Sequence, residues 1–122
     1  MRRAAILIVL VACSRVPEET AAVDANAELR ESARETLATN CGQCHIRSNG
    51  TSLPRALAVF DLDEPDWSRR MSADQLREAK RRLDEPTAPS LDENAPRAIH
   101  LGPGERDRFA RYVDAELARR AK

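Results

Sequence analysis

Two cysteines and a histidine stand within five consecutive residues, Cys41-Gly42-Gln43-Cys44-His45, and this segment constrains the chain more than any other. Two thiols separated by two residues lie on one turn of backbone, close enough to react with the two vinyl groups of one haem. The adjacent His45 can then bind the iron from one side. The segment therefore predicts one covalently attached haem c, with attachment and iron ligation supplied by a single loop.

A Cys-x-x-Cys pair also occurs in zinc sites and in dithiol oxidoreductases. A zinc site needs about four ligands, and beyond the motif itself the sequence offers one further histidine, His100, and no second cysteine pair. A dithiol oxidoreductase places its pair at the start of a helix that follows a strand, and no strand pattern precedes Cys41. Both alternatives are therefore weaker predictions than haem attachment.

Through these five residues the chain resembles the cytochrome c family, over about residues 26–120. The resemblance implies an all-α fold, a small cytochrome c-like domain in which three main helices and long loops surround one covalent haem. It also implies that Cys41 and Cys44 hold the porphyrin while His45 is the proximal iron ligand. An aromatic content of 3% agrees with this expectation, because a buried haem would supply the apolar bulk that the side chains lack.

The sixth ligand of the iron has two candidates in the sequence. Met71 is the one methionine after Met1, and a thioether ligand raises the reduction potential. Its position just before Ser72 also suits a hydrophobic staple at a helix start. His100 lies in the loop where the family usually places this ligand, but it stands close to the last helix, and a surface position or a contact with a propionate is its alternative role. The sequence favours Met71 over His100 and leaves an open sixth position as a third outcome.

Hydrophobic periodicity predicts three helices. The first covers roughly residues 27–39, the second starts with a capping box at Ser72 and ends before Pro86, and the third follows Gly104 and reaches about Arg119. The apolar faces of the first and last helices consist of Leu29, Ala33 and Leu37 and of Phe109, Tyr112, Val113 and Leu117. We expect these two faces to pack against each other, as the corresponding helices do in the cytochrome c family.

The segments 46–66 and 86–101 are rich in Pro, Asp, Asn and small residues, and both are predicted to be loops without a sheet. Loops of this length in a small domain are usually functional or supported by a ligand. The expected contribution of the first loop to the pocket wall is Ala56, Leu57, Val59, Phe60 and Leu62. Trp67 is expected either to lie at the haem edge, with its indole N–H on a propionate, or to be an ordinary core residue.

The first 12 residues are typical of an export signal, because Met1-Arg2-Arg3 precedes a short apolar run. That run is far shorter than the ~20 residues of a membrane-spanning helix. It ends in a sequence that resembles the lipobox of bacterial lipoproteins, and this resemblance implies lipidation of Cys13. A plain secretory signal is the alternative. Ser14, the residue after the cysteine, weakly favours the outer membrane as the location. Residues 13–26 are predicted to be the lipidated N-terminus and a flexible tether, and residues 27–122 the haem domain.

Without residues 1–12 the chain carries 18 basic and 20 acidic residues, a formal balance of −2. Such a balance lacks the positive field of a nucleic-acid-binding protein, so no nucleic-acid partner is expected. The predicted function is one-electron transfer between other redox proteins, without enzymatic activity, at the periplasmic side of a bacterial membrane. The alternatives are a haem protein with an open iron site, acting as a gas-binding module or a peroxidase-like enzyme, and a haem domain that works only within a larger respiratory complex.

Overall fold

The computed structural model describes residues 18–92 and 94–122, with side chains from residue 25 onward. The described chain is mostly helical, with four α-helices and one small two-stranded sheet. The helices are α1 (Glu18–His45), α2 (Pro54–Leu57), α3 (Ala73–Leu83) and α4 (Glu105–Arg120), with a 3-10 helix at Arg47–Asn49 and the strands β1 (Thr87–Ala88) and β2 (Arg97–Ala98). The predicted export signal, the lipid site at Cys13 and the first part of the tether lie outside the described residues.

Helix α1 is longer at both ends than the sequence predicted. It begins at Glu18 and not near residue 27, so residues 18–26, which were predicted to belong to the flexible tether, are helical. The segment has no apolar stripe, and residues 25–28 are exposed. Its helix follows instead from several alanines and from the lack of Gly and Pro over residues 18–41. At its other end α1 continues through the Cys-x-x-Cys-His segment to His45, which replaces the predicted loop with a helical turn.

The predicted packing of the first helix on the last is confirmed. Ala33 and Leu37 of α1 and Phe109 and Val113 of α4 are each at most 2% exposed. Helices α1 and α4 share the largest contact between elements of the described chain, and α3 also packs against α4. The guanidinium of Arg108 also donates to the Ser32 hydroxyl across the interface, at 3.2 Å. This crossing therefore anchors α1, and with it the motif at its end.

Helix α3 begins where the capping box predicted. The Ser72 hydroxyl accepts from the Gln75 amide at 3.1 Å, and the Gln75 side-chain oxygen accepts from the Ser72 amide at 2.8 Å. Met71 before the cap and Leu76 in the first turn are 3% and 0% exposed. The helix start is thus fixed by polar and apolar contacts together, in the manner of a capping box with a hydrophobic staple.

The expectation that the second long loop contains no sheet is wrong in one detail. Thr87–Ala88 pairs antiparallel with Arg97–Ala98, with Thr87 opposite Ala98. Strands of two residues carry no alternating pattern, because alternation needs at least several positions to become visible. The first long loop likewise contains the short helix α2, which starts at Pro54, a residue suited to the first position of a helix.

Candidate functional site

A cavity of about 480 Å³ lies at the C-terminal end of α1. This volume is within the roughly 300–1,000 Å³ of small-molecule and cofactor sites. Its wall consists of Leu37, Asn40, Cys41, Cys44 and His45 from α1, Leu53, Arg55, Ala56, Val59 and Phe60 around α2, Met71, Gln75, Glu78, Ala79, Arg82 and Leu83 at α3, and Ala88, Pro89, Arg97 and Ile99 at the sheet. The cavity reaches the surface, since Arg55, Arg82 and Pro89 are exposed.

The helical turn at the end of α1 places both cysteines in the cavity wall. Positions 41, 44 and 45 are related by steps of three and four residues, which lie on one face of an α-helix. Cys41 and Cys44 are free thiols and partly buried. Burial raises the pKa of Cys41, although the positive charges of Arg97 and Arg82 offset part of the increase. A raised pKa at the C-terminal end of a helix is the opposite of the activated thiolate that a dithiol oxidoreductase uses.

Phe60 holds the His45 imidazole by two contacts. The two rings stack with centroids 3.7 Å apart and an interplanar angle of 5°. The His45 Nδ1 lies 3.1 Å from the Phe60 carbonyl oxygen, and because a carbonyl only accepts, Nδ1 carries the hydrogen. Burial lowers the pKa of His45, partly offset by this hydrogen bond, which favours the neutral form of the ring. A neutral imidazole with Nδ1–H engaged has its Nε2 lone pair available to a metal.

The loop that carries Phe60 is itself fixed by a buried carboxylate. The Asp61 side chain is fully buried and pairs with Arg47 through a 2.8 Å contact between Oδ2 and Nε. The amides of Arg47 and Asp63 donate to its other oxygen, at 3.4 and 3.1 Å. The next residue, Leu62, donates its amide to the His45 carbonyl at 2.8 Å. These hydrogen bonds therefore fix the position of the 60–62 loop relative to the end of α1.

Met71 lines the same cavity as the motif. Its side chain is 3% exposed, and it belongs to the cavity wall together with Cys41, Cys44 and His45. Met71 lies just before α3 and not in the loop where the resemblance implies the ligand. It nevertheless lines the same cavity as the motif. A thioether in an apolar wall can serve as packing or as an axial ligand.

His100 does not belong to the cavity wall, and its residue is exposed. Its backbone has the structural role: the Asn40 side chain accepts from the His100 amide at 2.7 Å and donates to the His100 carbonyl at 2.9 Å. Asn40 is 2% exposed and directly precedes Cys41. The loop before α4 is thus attached to the motif through the backbone of His100, while its exposed side chain is not part of the cavity wall.

Trp67 packs in the core and is absent from the cavity wall. It is 1% exposed, with its ring centroid 5.4 Å from that of Tyr112 and 6.2 Å from that of Phe60. Its indole N–H is buried without a hydrogen-bond partner among the described residues. Of the two predicted roles for Trp67, this placement fits the ordinary core residue. Of the five residues that were predicted to form the pocket wall, Ala56, Val59 and Phe60 line the cavity, whereas Leu57 and Leu62 do not.

Sequence reasoning missed three arginines in the wall, Arg55, Arg82 and Arg97. Gln75, Glu78, Ala79 and Arg82 follow the three- and four-residue spacing of one helix face. That spacing could have placed Arg82 in the site. No such signal exists for Arg97, which reaches the cavity only through the sheet. Its Nε–H is buried and has no partner among the described residues, while its terminal nitrogen donates to the Asn40 carbonyl.

Comparison with known proteins finds no matching family, no matching curated protein and no matching solved structure. Within residues 18–92 and 94–122, no group of three or more His, Cys, Asp or Glu side chains is arranged to hold a metal ion. In the same part of the chain, no helix combines the length and the apolar character that crossing a membrane requires.

Proposed function

We propose that this protein is a single-haem c-type cytochrome that transfers one electron at a time between other redox proteins. The observation that carries the proposal is the composition of one cavity wall. It contains the two thiols of Cys41 and Cys44, the neutral imidazole of His45 and the buried thioether of Met71. These are the groups that c-type attachment and axial ligation require.

The residues of the cavity fit a haem in three further respects. The exposed surface of the lining is mostly apolar, although seven polar or charged residues also contribute to it; a mostly apolar lining is typical of cofactor pockets. His45 is oriented by its Nδ1 contact with Phe60, which is the usual outer-shell arrangement of a metal-binding histidine. Arg97 brings a buried N–H without an acceptor to the wall, and a porphyrin carboxylate is a suitable partner for that donor.

In this proposal Cys41 and Cys44 would hold the haem, because each thiol can add across one vinyl group to form a thioether without loss of atoms. His45 and Met71 would bind the iron, and the haem would supply one-electron oxidation and reduction. The surrounding apolar wall limits water access and so contributes to the reduction potential. The protein carries no substrate chemistry of its own, and its partners are redox proteins that donate and accept the electron.

The proposed location is the periplasmic side of a bacterial membrane, with a lipid anchor at Cys13 and the outer membrane as the weakly favoured site. It rests on the sequence of residues 1–14. Stable anchoring needs more than one acyl chain, and the lipoprotein modification provides this. Mass spectrometry of the protein expressed with its own signal tests the anchor: a lipid mass that is absent from Cys13→Ser supports it, and an unmodified Cys13 contradicts it.

The haem itself is tested by expressing the full chain in a host with a c-type maturation system. We expect a covalent haem that survives acid–acetone extraction, low-spin absorption spectra in both oxidation states and no rapid reaction with carbon monoxide. Cys41→Ser with Cys44→Ser should abolish covalent attachment, whereas the matched exposed pair Ser48→Ala with Thr51→Ala should retain it. Absence of covalent haem in the unmodified chain would contradict the proposal. High-spin haem that binds carbon monoxide at once would favour the gas-binding or peroxidase-like alternative instead.

A further inference from the structure

Side chains of α4 form hydrogen bonds with the turn that carries Met71. The Met71 amide donates to the Ser68 carbonyl at 3.1 Å, which closes a tight turn over Ser68–Met71. Ser68 and Met71 are 6% and 3% exposed. Met71 precedes the cap residue Ser72, whose own carbonyl accepts the first helical hydrogen bond, from Leu76 at 3.0 Å. The Met71 carbonyl therefore lies outside the hydrogen-bond ladder of α3 and needs a donor from elsewhere.

Arg120, in the last turn of α4, supplies that donor. One terminal nitrogen of its guanidinium donates to the Met71 carbonyl, and the other donates to the Ser68 carbonyl at 2.7 Å. A guanidinium is planar and its N–H groups point in fixed directions, so two bonds from one group fix the spacing of the two carbonyls they reach. One side chain thus sets the geometry of both ends of the turn.

Two further residues of α4 hold this arrangement in place. The Glu116 carboxylate accepts from the Arg120 Nε at 2.9 Å, and the Glu116 side chain is 11% exposed. Tyr112 donates its hydroxyl hydrogen to the Ser68 hydroxyl at 2.6 Å. Tyr112, Glu116 and Arg120 follow one another by four residues and lie on one face of α4. We refer to these three residues as the α4 clamp.

We propose that Arg120 is a positioning residue for Met71, and that the α4 clamp determines how firmly the Met71 thioether is held at the cavity. The inference rests on the proposed function, in which Met71 is an axial ligand. None of the three clamp residues lines the cavity, so the clamp acts through the backbone of the 68–71 turn. Loosening the turn lets the thioether leave its position and opens that side of the cavity to small ligands.

Arg119 provides a matched control. It also pairs with Glu116, at 2.7 Å, but its side chain is 67% exposed against 23% for Arg120. Arg119 makes no contact with the 68–71 turn among the hydrogen bonds of the described residues. Removing either arginine deletes one positive charge from the same helix turn, and only the change at position 120 removes donors from the turn.

The test compares Arg120→Gln, Arg120→Lys, Arg119→Gln and Met71→Ala in the full, haem-loaded chain. The spectroscopic readouts are the near-infrared band of thioether-ligated oxidised haem and the rate of carbon monoxide binding. We expect Arg120→Gln to weaken the band and to accelerate carbon monoxide binding roughly tenfold or more, the factor that corresponds to losing a hydrogen bond from a charged donor. Arg119→Gln should match the unmodified protein, and Arg120→Lys should lie between them because an ammonium keeps the charge without the planar fork.

Hydrogen exchange on the same samples separates positioning from general stability. Faster exchange confined to residues 68–72 in Arg120→Gln supports the clamp. Equal acceleration along α1 and α4, or spectra of Arg120→Gln that match those of Arg119→Gln, overturns it. If Met71→Ala keeps the near-infrared band, Met71 is not the ligand and the clamp inference falls with that assignment, although covalent haem would still support the proposed class. If the chain binds no haem, the proposed function itself falls.

Discussion

The two parts of α1 differ in what fills the space beside them. In the middle of the helix, Ala33 packs against α4 among residues such as Phe109 and Val113, and all three side chains are at most 2% exposed. At the C-terminal end, Cys41 and His45 are only partly buried and border a cavity of about 480 Å³. Side-chain packing alone closes the first region. In the second region a cavity remains beside the helix, so side-chain packing contributes less to stability there.

The largest effect is expected from breaking the packed region. Phe109→Ala removes an aromatic ring that is 2% exposed, and substitutions of this type cost about 3–5 kcal/mol. The free energy of unfolding, measured by urea denaturation of the full chain, should fall by this amount. Leu53→Ala is the comparison on the cavity side, where the side chain is only partly buried, and its loss should be clearly smaller. Equal losses would mean that the two regions do not differ in packing.

A medium effect is expected from the buried carboxylate on the cavity side. Burial opposes ionisation of Asp61, but hydrogen bonds from the Asp63 amide and from Arg47 outweigh it, so the pKa of Asp61 lies below its ordinary value. Asp61→Asn keeps the shape and removes the charge, and should cost roughly 1.5–3 kcal/mol at neutral pH, the range for hydrogen bonds to charged groups. Asp63→Asn is the matched control, because Asp63 is exposed. We expect a smaller loss from it.

The pH dependence of the Asp61→Asn effect has a defined sign. A carboxyl whose pKa is lower in the folded state stabilises the fold above the pKa of the unfolded chain, which is about 4 for aspartate. The stabilisation is lost as the pH falls through the lower pKa of the folded state. Urea unfolding at a series of pH values should therefore show the two proteins converging below pH about 4. A constant difference at acid pH would show that the charge of Asp61 is not responsible.

The smallest effect is expected from Arg81, an exposed residue of α3 that pairs with Glu78 of the cavity wall. Hydrogen bonds from Arg81 and then from Arg82 lower the pKa of Glu78 to about 2. Arg81→Gln should raise that pKa towards its ordinary value, about 4.3, in a carboxyl titration followed by NMR. Global stability should change little, because exposed ion pairs contribute little to folding. A large loss of stability in Arg81→Gln would show that the ion pair between Arg81 and Glu78 contributes substantially to folding.

Features with a local or periodic sequence pattern could be predicted, whereas features that depend on residues distant in the chain could not. The α1–α4 interface was predictable because helical periodicity shows directly which residues face a partner. The ligand candidates in the motif were predictable because their spacing is local. The helical residues 18–26 and the two-residue strands carry no periodic pattern, so neither was found. The roles of Asn40 and Arg120 depend on partners 60 and 49 to 52 residues away, which no local pattern reveals.

The crossing of α1 and α4 also has a consequence for the order of folding. Ser32 and Arg108, which meet across it, are 76 residues apart in the chain. Contacts of such separation form late, because the intervening chain must be closed into a loop before they contribute any free energy. Helix α1 can form earlier through local contacts, and its cysteines are then accessible before α4 packs against α1. If haem is attached as proposed, this order of folding would let covalent attachment precede closure of the domain.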